Sequence, residues 1–179
     1  SRVPPVFVGR ATRGVEFFEH AEKTYDTVLL LGRTTDTQDV TGATLAEKAV
    51  HLSPADIDRV LPRFRGDILQ VPPMYSALKV NGKKLYELAR KGQEVERQPR
   101  PITVFELTNL GFDGTRLSLR VRCSKGTYIR TLCQDIGDAL GCGGCMEALR
   151  RVRAGEYGIE DAVPLEQLLE SETPEQYLR

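Results

Sequence analysis

The chain has 179 residues, and its 25 lysines and arginines are balanced by 25 aspartates and glutamates, for a formal net charge of zero. A chain of that length suits one domain and buries a core without disulfide or metal staples. No apolar run approaches the ~20 residues needed to cross a bilayer, and the first residues carry no signal-peptide pattern. Its four cysteines fit reduced thiols in a soluble cytoplasmic protein better than a disulfide framework.

In chain order, "SRVPPVFVGRATRGVEFF" is proline-bearing and then apolar, without a capped start, and reads as a chain entered partway. "KTYDTVLLLGRTTDTQDVTG" predicts a strand over Tyr25 to Leu31, followed by a turn rich in threonine and aspartate. Asp36 and Asp39 do not follow EF-hand spacing, so calcium is not expected. "SPADIDRVLPRFRG" predicts a helix with Ser53 as N-cap and Pro54 at its first position. Ile57, Val60, Leu61 and Phe64 would share its apolar face, Pro62 would kink or shorten it, and Gly66 would end it.

"DILQVPPMYSALKVNG" is extended, because Pro72 and Pro73 exclude helix, and Asn81-Gly82 marks a turn. "KKLYELARKG" is a short helix closed by Gly92. Next come two alternating strands around Asp113-Gly114, the strongest hairpin signal in the chain. The second sets Leu117, Leu119, Val121 and Cys123 against Arg116, Ser118, Arg120 and Arg122, a period of two. Ile129, Leu132, Ile136 and Leu140 then recur at helical spacing, with Thr127 as the expected N-cap and Gly141 as the stop. A short helix near Met146 to Leu149 with a strand beyond it, and a last helix from Pro164, complete the reading. Strands and helices mixed without regular alternation indicate an α+β fold, a largely antiparallel sheet flanked by helices.

Charge is unevenly spread. Lys79, Lys83, Lys84, Arg90 and Lys91 face only Glu87, and a second run of cations extends from Arg116 to Arg153. A polyanion-binding face and an ordinary solvated surface both remain open on charge counting alone. Arg130 falls in the first turn of a helix, where the dipole disfavours a cation, so a carboxylate or a phosphate is expected opposite it. Cys142 and Cys145 form a C-x-x-C, but Cys123 and Cys133 do not supply the second knuckle of a zinc site, and no metal is expected.

Several long motifs in order resemble one family. "CSKGTYIRTLCQDIGDALGCGG", "QVPPMYSALKVNGKKLYELARKG", "KTYDTVLLLGRTTDTQDVTG" and "PRPITV" are similar to segments of the TruB-type tRNA pseudouridine synthases. That resemblance implies a pseudouridine-synthase-like fold over residues 1–179, with an RNA-gripping insertion at about 73–101. It implies an isomerase that converts a T-loop uridine of tRNA to pseudouridine without a cofactor, with the T-arm stem-loop as partner and the protein a monomer. Tyr25 matches the tyrosine that stacks on the target base and helps move a sugar proton, and Arg130 the arginine that pairs with the nucleophilic aspartate. Tyr128 matches a tyrosine near the bound nucleotide, and Leu149 a leucine that packs against it. Lys79, Lys83, Lys84, Lys125 and Arg150 are the expected RNA contacts. The aspartate loop and a C-terminal extension of the PUA type have no counterpart within the 179 residues, so the chain alone is expected to be inactive. The alternative is an RNA-binding remnant of the same fold that does no chemistry.

Overall fold

The computed structural model describes residues 21–80 and 82–177. Its strands are β1 (Lys23–Leu31), β2 (Arg33–Thr35), β3 (Thr44–Glu47), β4 (Gly66–Gln70), β5 (Lys79–Val80), β6 (Lys83–Lys84), β7 (Arg100–Phe112), β8 (Arg116–Cys123), β9 (Gly144–Ala154) and β10 (Tyr157–Gly158). The α-helices are α1 (Pro54–Val60), α2 (Leu85–Ala89), α3 (Ile129–Ala139) and α4 (Leu165–Leu169). Six strands make one sheet in the order β10-β9-β1-β8-β7-β4, and each neighbouring pair in it is antiparallel. The fold is α+β, as the mixed pattern predicts. The opening segment over residues 1–20 lies outside the described residues.

Alternation along β1 gives the sheet two unlike faces. Thr27, Leu29 and Leu31 are buried on one side, where Leu117, Leu119 and Val121 of β8 join them. Helix α3 covers that side, burying Ile129, Leu132, Cys133 and Ile136 in the same core. The opposite side carries charge: Arg120 donates to both carboxylate oxygens of Asp26 at 2.7 and 2.8 Å, and Arg116 likewise grips Glu147 at 2.7 and 3.0 Å.

Local chemistry accounts for the element ends. Ser53 caps α1 in a full capping box: its hydroxyl accepts from the Asp56 amide at 3.3 Å, and the Asp56 carboxylate accepts from the Ser53 amide at 2.7 Å. The Ser53 hydroxyl, which donates to the Asp56 carboxylate at 2.6 Å, and then the Ser53 amide hold that carboxyl below its ordinary range. Pro62 shortens the helix, which ends at Val60 and passes into a 3-10 turn over Leu61–Phe64. Gly141 ends α3 at φ +83°, in the left-handed region that favours glycine.

Three local expectations are corrected. Met146 to Leu149 is strand, because these residues pair with Leu29 to Thr27 of the central β1, and the ladder overrides their helix-forming composition. Thr127 does not cap α3; its hydroxyl donates to the Ser124 carbonyl at 2.9 Å, and the N-cap is Tyr128 with no side-chain cap of its own. The last helix begins at Leu165, with Pro164 as its N-cap. Cys123 lies on a strand and Cys133 on a helix, as expected, and burial pushes their thiols up to about 11 and about 12.

Helix α3 meets β9 main chain to main chain. A Cβ on Gly137 would stand 2.5 Å from the Gly143 carbonyl carbon and the Gly144 nitrogen. Gly137→Ala is therefore expected to push α3 off the sheet and cost about 1–3 kcal/mol, the usual range for overpacking, read as a lower urea midpoint at unchanged slope. A second prediction concerns Asp135 on α3, whose carboxyl is raised to about 6, first by burial and then by the charge of Asp138. The folded chain then holds this proton more tightly than the unfolded one. The contribution of Asp135 to stability should be fully present below about pH 4, be lost as pH rises through about 6 and stay level above it. Asp135→Asn should remove that component from the pH dependence of the melting temperature.

Candidate active site

The face of the sheet under α3 also carries Tyr25 and Leu149, two of the side chains singled out in the sequence. Tyr25 sits two positions before Thr27 and so shares its face, in register with Val121 on β8 and Arg151 on β9. A register shift on the β9 side falls between Thr24 and Tyr25 and re-aims the strand there. Leu149 is the β9 partner of Thr27, diagonal to Tyr25, and both pack half-buried against the core cluster. The Thr27 hydroxyl donates to the Ala148 carbonyl at 2.7 Å and lies 3.8 Å from the Cys133 sulfur of the helix above. Arg130 lies one turn before Cys133, so the start of α3 stands over the Tyr25 end of β1.

Arg130 is half-buried, and its Nη2 donates to the Tyr75 carbonyl at 2.9 Å. The expected anion is thus replaced by a neutral acceptor, and among the described residues no carboxylate reaches this guanidinium. Asp26 belongs to Arg120 on the other face of the sheet. Tyr75 belongs to the segment after β4, which crosses the start of α3. Its root, Gln70, is 3% exposed and binds the main chain of Tyr128 on both sides, accepting from its amide at 2.9 Å and donating to its carbonyl at 3.1 Å. On the other flank of the first turn, the Thr131 hydroxyl donates to Gln38 Oε1 at 2.7 Å.

The structure sorts the cations differently from the sequence. Arg116, Arg120, Arg122 and Arg153 are held by Glu147, Asp26, Glu22 and Glu160, so this run is largely a lattice of exposed ion pairs rather than a bare basic face. Arg150 alternates with Leu149 and faces the far side, lining a groove with Asp26 and Arg120 away from Tyr25. Lys125 is exposed in the turn just before α3. Lys79, Lys83 and Lys84 lie on the small β5–β6 hairpin. There Lys84 Nζ and Arg90 Cζ stand 5.5 and 5.3 Å from the centroid of the Tyr86 ring. Among the described residues no three Cys, His, Asp or Glu side chains stand together as metal ligands.

Gln70, Tyr75, Gln38 and Thr131 were not legible as site residues. Gln70 had a signal: it follows Ile68 at strand spacing, and a polar group on the inward face of an apolar alternation must find partners. Tyr75 contributes a main-chain oxygen, which side-chain patterns do not reveal.

Two family models match the chain end to end. "TruB family pseudouridylate synthase (N terminal domain)" covers residues 3–129, and "tRNA pseudouridylate synthase B C-terminal domain" covers residues 130–179. The chain is 49% identical over 166 residues to tRNA pseudouridine synthase B of Pseudomonas fluorescens (strain Pf0-1), covering 93% of this chain and 54% of that protein. It is 51% identical over 164 residues to the protein of the same name from Azoarcus sp. (strain BH72), covering 92% and 55%. The chain thus spans about half the length of these curated relatives. Among solved structures, a chain of a Cbf5-Nop10-Gar1 complex superposes with a TM-score of 0.73 at 29% identity, over 96% of this chain and 42% of the other. A chain of the archaeal box H/ACA sRNP Nop10-Cbf5 complex gives 0.66 at 26%, over 99% and 44%. With a family model matching most of its length and relatives half identical to it, the chain belongs to the TruB family of pseudouridylate synthases.

Proposed function

We propose that these residues form the catalytic core of a tRNA pseudouridine synthase acting on a uridine in the T-loop. The reading is supported by Tyr25 and Leu149 lying on the sheet face that α3 covers, with Arg130 in the first turn of that helix. The target uridine must leave the RNA stack to reach such a site. Tyr25 offers an aromatic face for the base and a phenol oxygen beside the sugar, and Leu149 closes the apolar floor. Arg130 presents a guanidinium that takes a carboxylate in a bidentate pair once the Tyr75 carbonyl yields or shares it. The reaction breaks the bond between N1 and C1′, turns the base and joins C5 to C1′. The proton lost from C5 balances the one gained at N1, so no oxidant or cofactor enters.

The insertion at about 73–101 is the proposed RNA grip. Its exposed Lys79 and Lys83, with Lys84 and Arg90 about Tyr86, make a cationic and aromatic surface of the kind that holds loop RNA. Lys125, exposed in the turn before α3, is a further proposed phosphate contact. Arg150, on the far face, is left out of this surface.

Two experiments test the reading. Pseudouridine is mapped chemically in a T-arm stem-loop after incubation with the 179 residues alone, and with the same residues joined to an upstream aspartate loop from a relative. The joined protein should convert one loop uridine, and Arg130→Met should slow it on the order of 100-fold or more. Conversion of no uridine, or conversion indifferent to Arg130, would overturn the proposal. The 179 residues alone should bind without converting, and turnover by them would locate the nucleophile among their own carboxylates. In the second experiment, affinity for the stem-loop should fall linearly with salt on logarithmic axes. Lys83→Glu with Lys84→Glu should weaken binding and reduce the salt slope by about 2, one for each lost phosphate contact. Arg120→Gln, on the far face, should change neither.

A further inference from the structure

The start of α3 is held by a side chain that the reaction itself does not require. We propose that Gln70 is a positioning residue of the candidate site, fixing Tyr128 and Arg130 through the Tyr128 main chain; for its catalytic consequence this rests on the function proposed above. The Gln70 carboxamide accepts from the Tyr128 amide at 2.9 Å and donates to the Tyr128 carbonyl at 3.1 Å. One carboxamide thereby fixes the two peptide planes that flank Tyr128, and with them its φ of −94° and ψ of 106°. The direction in which the Tyr128 side chain leaves the backbone and the axis on which α3 begins follow from those two angles.

Nothing else among the described side chains does this work. The N-cap position of α3 has no side-chain cap, and the Thr127 hydroxyl is committed to Ser124. The Tyr128 carbonyl also accepts from the Leu132 amide at 3.0 Å, so the bond from Gln70 is continuous with the first helical hydrogen bond. Arg130, two residues on, uses its guanidinium to hold the Tyr75 carbonyl, which lies five residues after Gln70 on the same segment. The strand end and the helix start are therefore tied twice, through Gln70 to Tyr128 and through Arg130 to Tyr75.

The chemistry also explains why the residue is glutamine. It is 3% exposed, so an apolar side chain would pack there at no desolvation cost. A glutamate would supply the acceptor but no donor, setting a carboxylate against the Tyr128 carbonyl. An asparagine is one methylene short of both groups. Only a primary amide on this stem offers the paired donor and acceptor of a peptide unit.

The test measures amide hydrogen exchange and the Arg130 side-chain Nε–H resonance by NMR on the 179-residue chain, comparing the unmodified protein with Gln70→Met and Gln70→Glu. In Gln70→Met, exchange at Tyr128 and in the first turn of α3 should rise about tenfold or more, and the Arg130 resonance should move, while β7 and β8 keep their protection. Gln70→Glu should keep Tyr128 protected through the surviving acceptor and still move Arg130. An unchanged Tyr128, or a rise shared equally by β7 and β8, would make Gln70 an ordinary core residue and overturn the proposal. Should Gln70→Met not fold, Gln70→Glu alone decides by the contrast between Tyr128 and Arg130. In the protein joined to the aspartate loop, Gln70→Met should lower kcat about 10- to 100-fold with KM for the stem-loop within about twofold, since the Lys79–Lys84 hairpin is untouched. Absence of turnover in the unmodified joined protein would sink the proposed function and leave the NMR comparison to judge Gln70 by itself.

Discussion

The contact of α3 with β9 at Gly137 fixes the geometry on which the rest of the molecule depends. With no side chain between them, helix and strand approach to main-chain distance, and the helix can lie in only one way across β1. That placement buries Leu132, Cys133 and Ile136 over Leu29 and Leu119. It also sets how far the first turn, which carries Arg130, projects beyond the core. A larger gap would leave the core residues a liquid-like choice of packings and the arginine without a defined height.

Alternation on β1 does the complementary task of separating apolar from ionic chemistry. Odd-numbered positions from Tyr25 face the helix, and Asp26 faces away to Arg120. Solvent screens exposed pairs of this kind so strongly that they contribute too little to hold a sheet together. Their effect is on the outer potential: cations that would otherwise spread a positive field over the far face are compensated locally. Among the described residues, Lys79, Lys83 and Lys84 of the β5–β6 hairpin make no ion pair, and they lie on the segment that also supplies Tyr75 to Arg130.

Most of the fold was legible because its signals are local. The β7–β8 hairpin shows in alternation around Asp113-Gly114, α1 in Ser53 and Pro54, and the end of α3 in Gly141. Met146 to Leu149 failed because a central strand's ladder is made with residues more than a hundred positions away, about which the local composition is silent. The candidate site was legible where it consists of side chains with distinctive chemistry, Tyr25, Tyr128, Arg130 and Leu149, matched through motifs. It was not legible where it consists of geometry. The sheet face that parts Arg150 from Leu149, the carbonyl of Tyr75 and the two hydrogen bonds of Gln70 all depend on how separate segments meet.

The position of β1 bears on the order in which the molecule assembles. It is the first described strand in the chain, yet it lies inside the sheet between β8 and β9. Its bonds bridge 94 residues to Arg120 and 121 residues to Ala148. Closing loops of that size precedes any return from the contacts they make, which slows folding relative to a sheet of successive hairpins. On a ribosome, β1 must wait unpaired while everything up to β8 is made, and its second edge stays open until β9 emerges. A strand with Val28, Leu29, Leu30 and Leu31 in succession is then exposed on both edges for most of synthesis, the circumstance in which nascent chains most need to be shielded from one another.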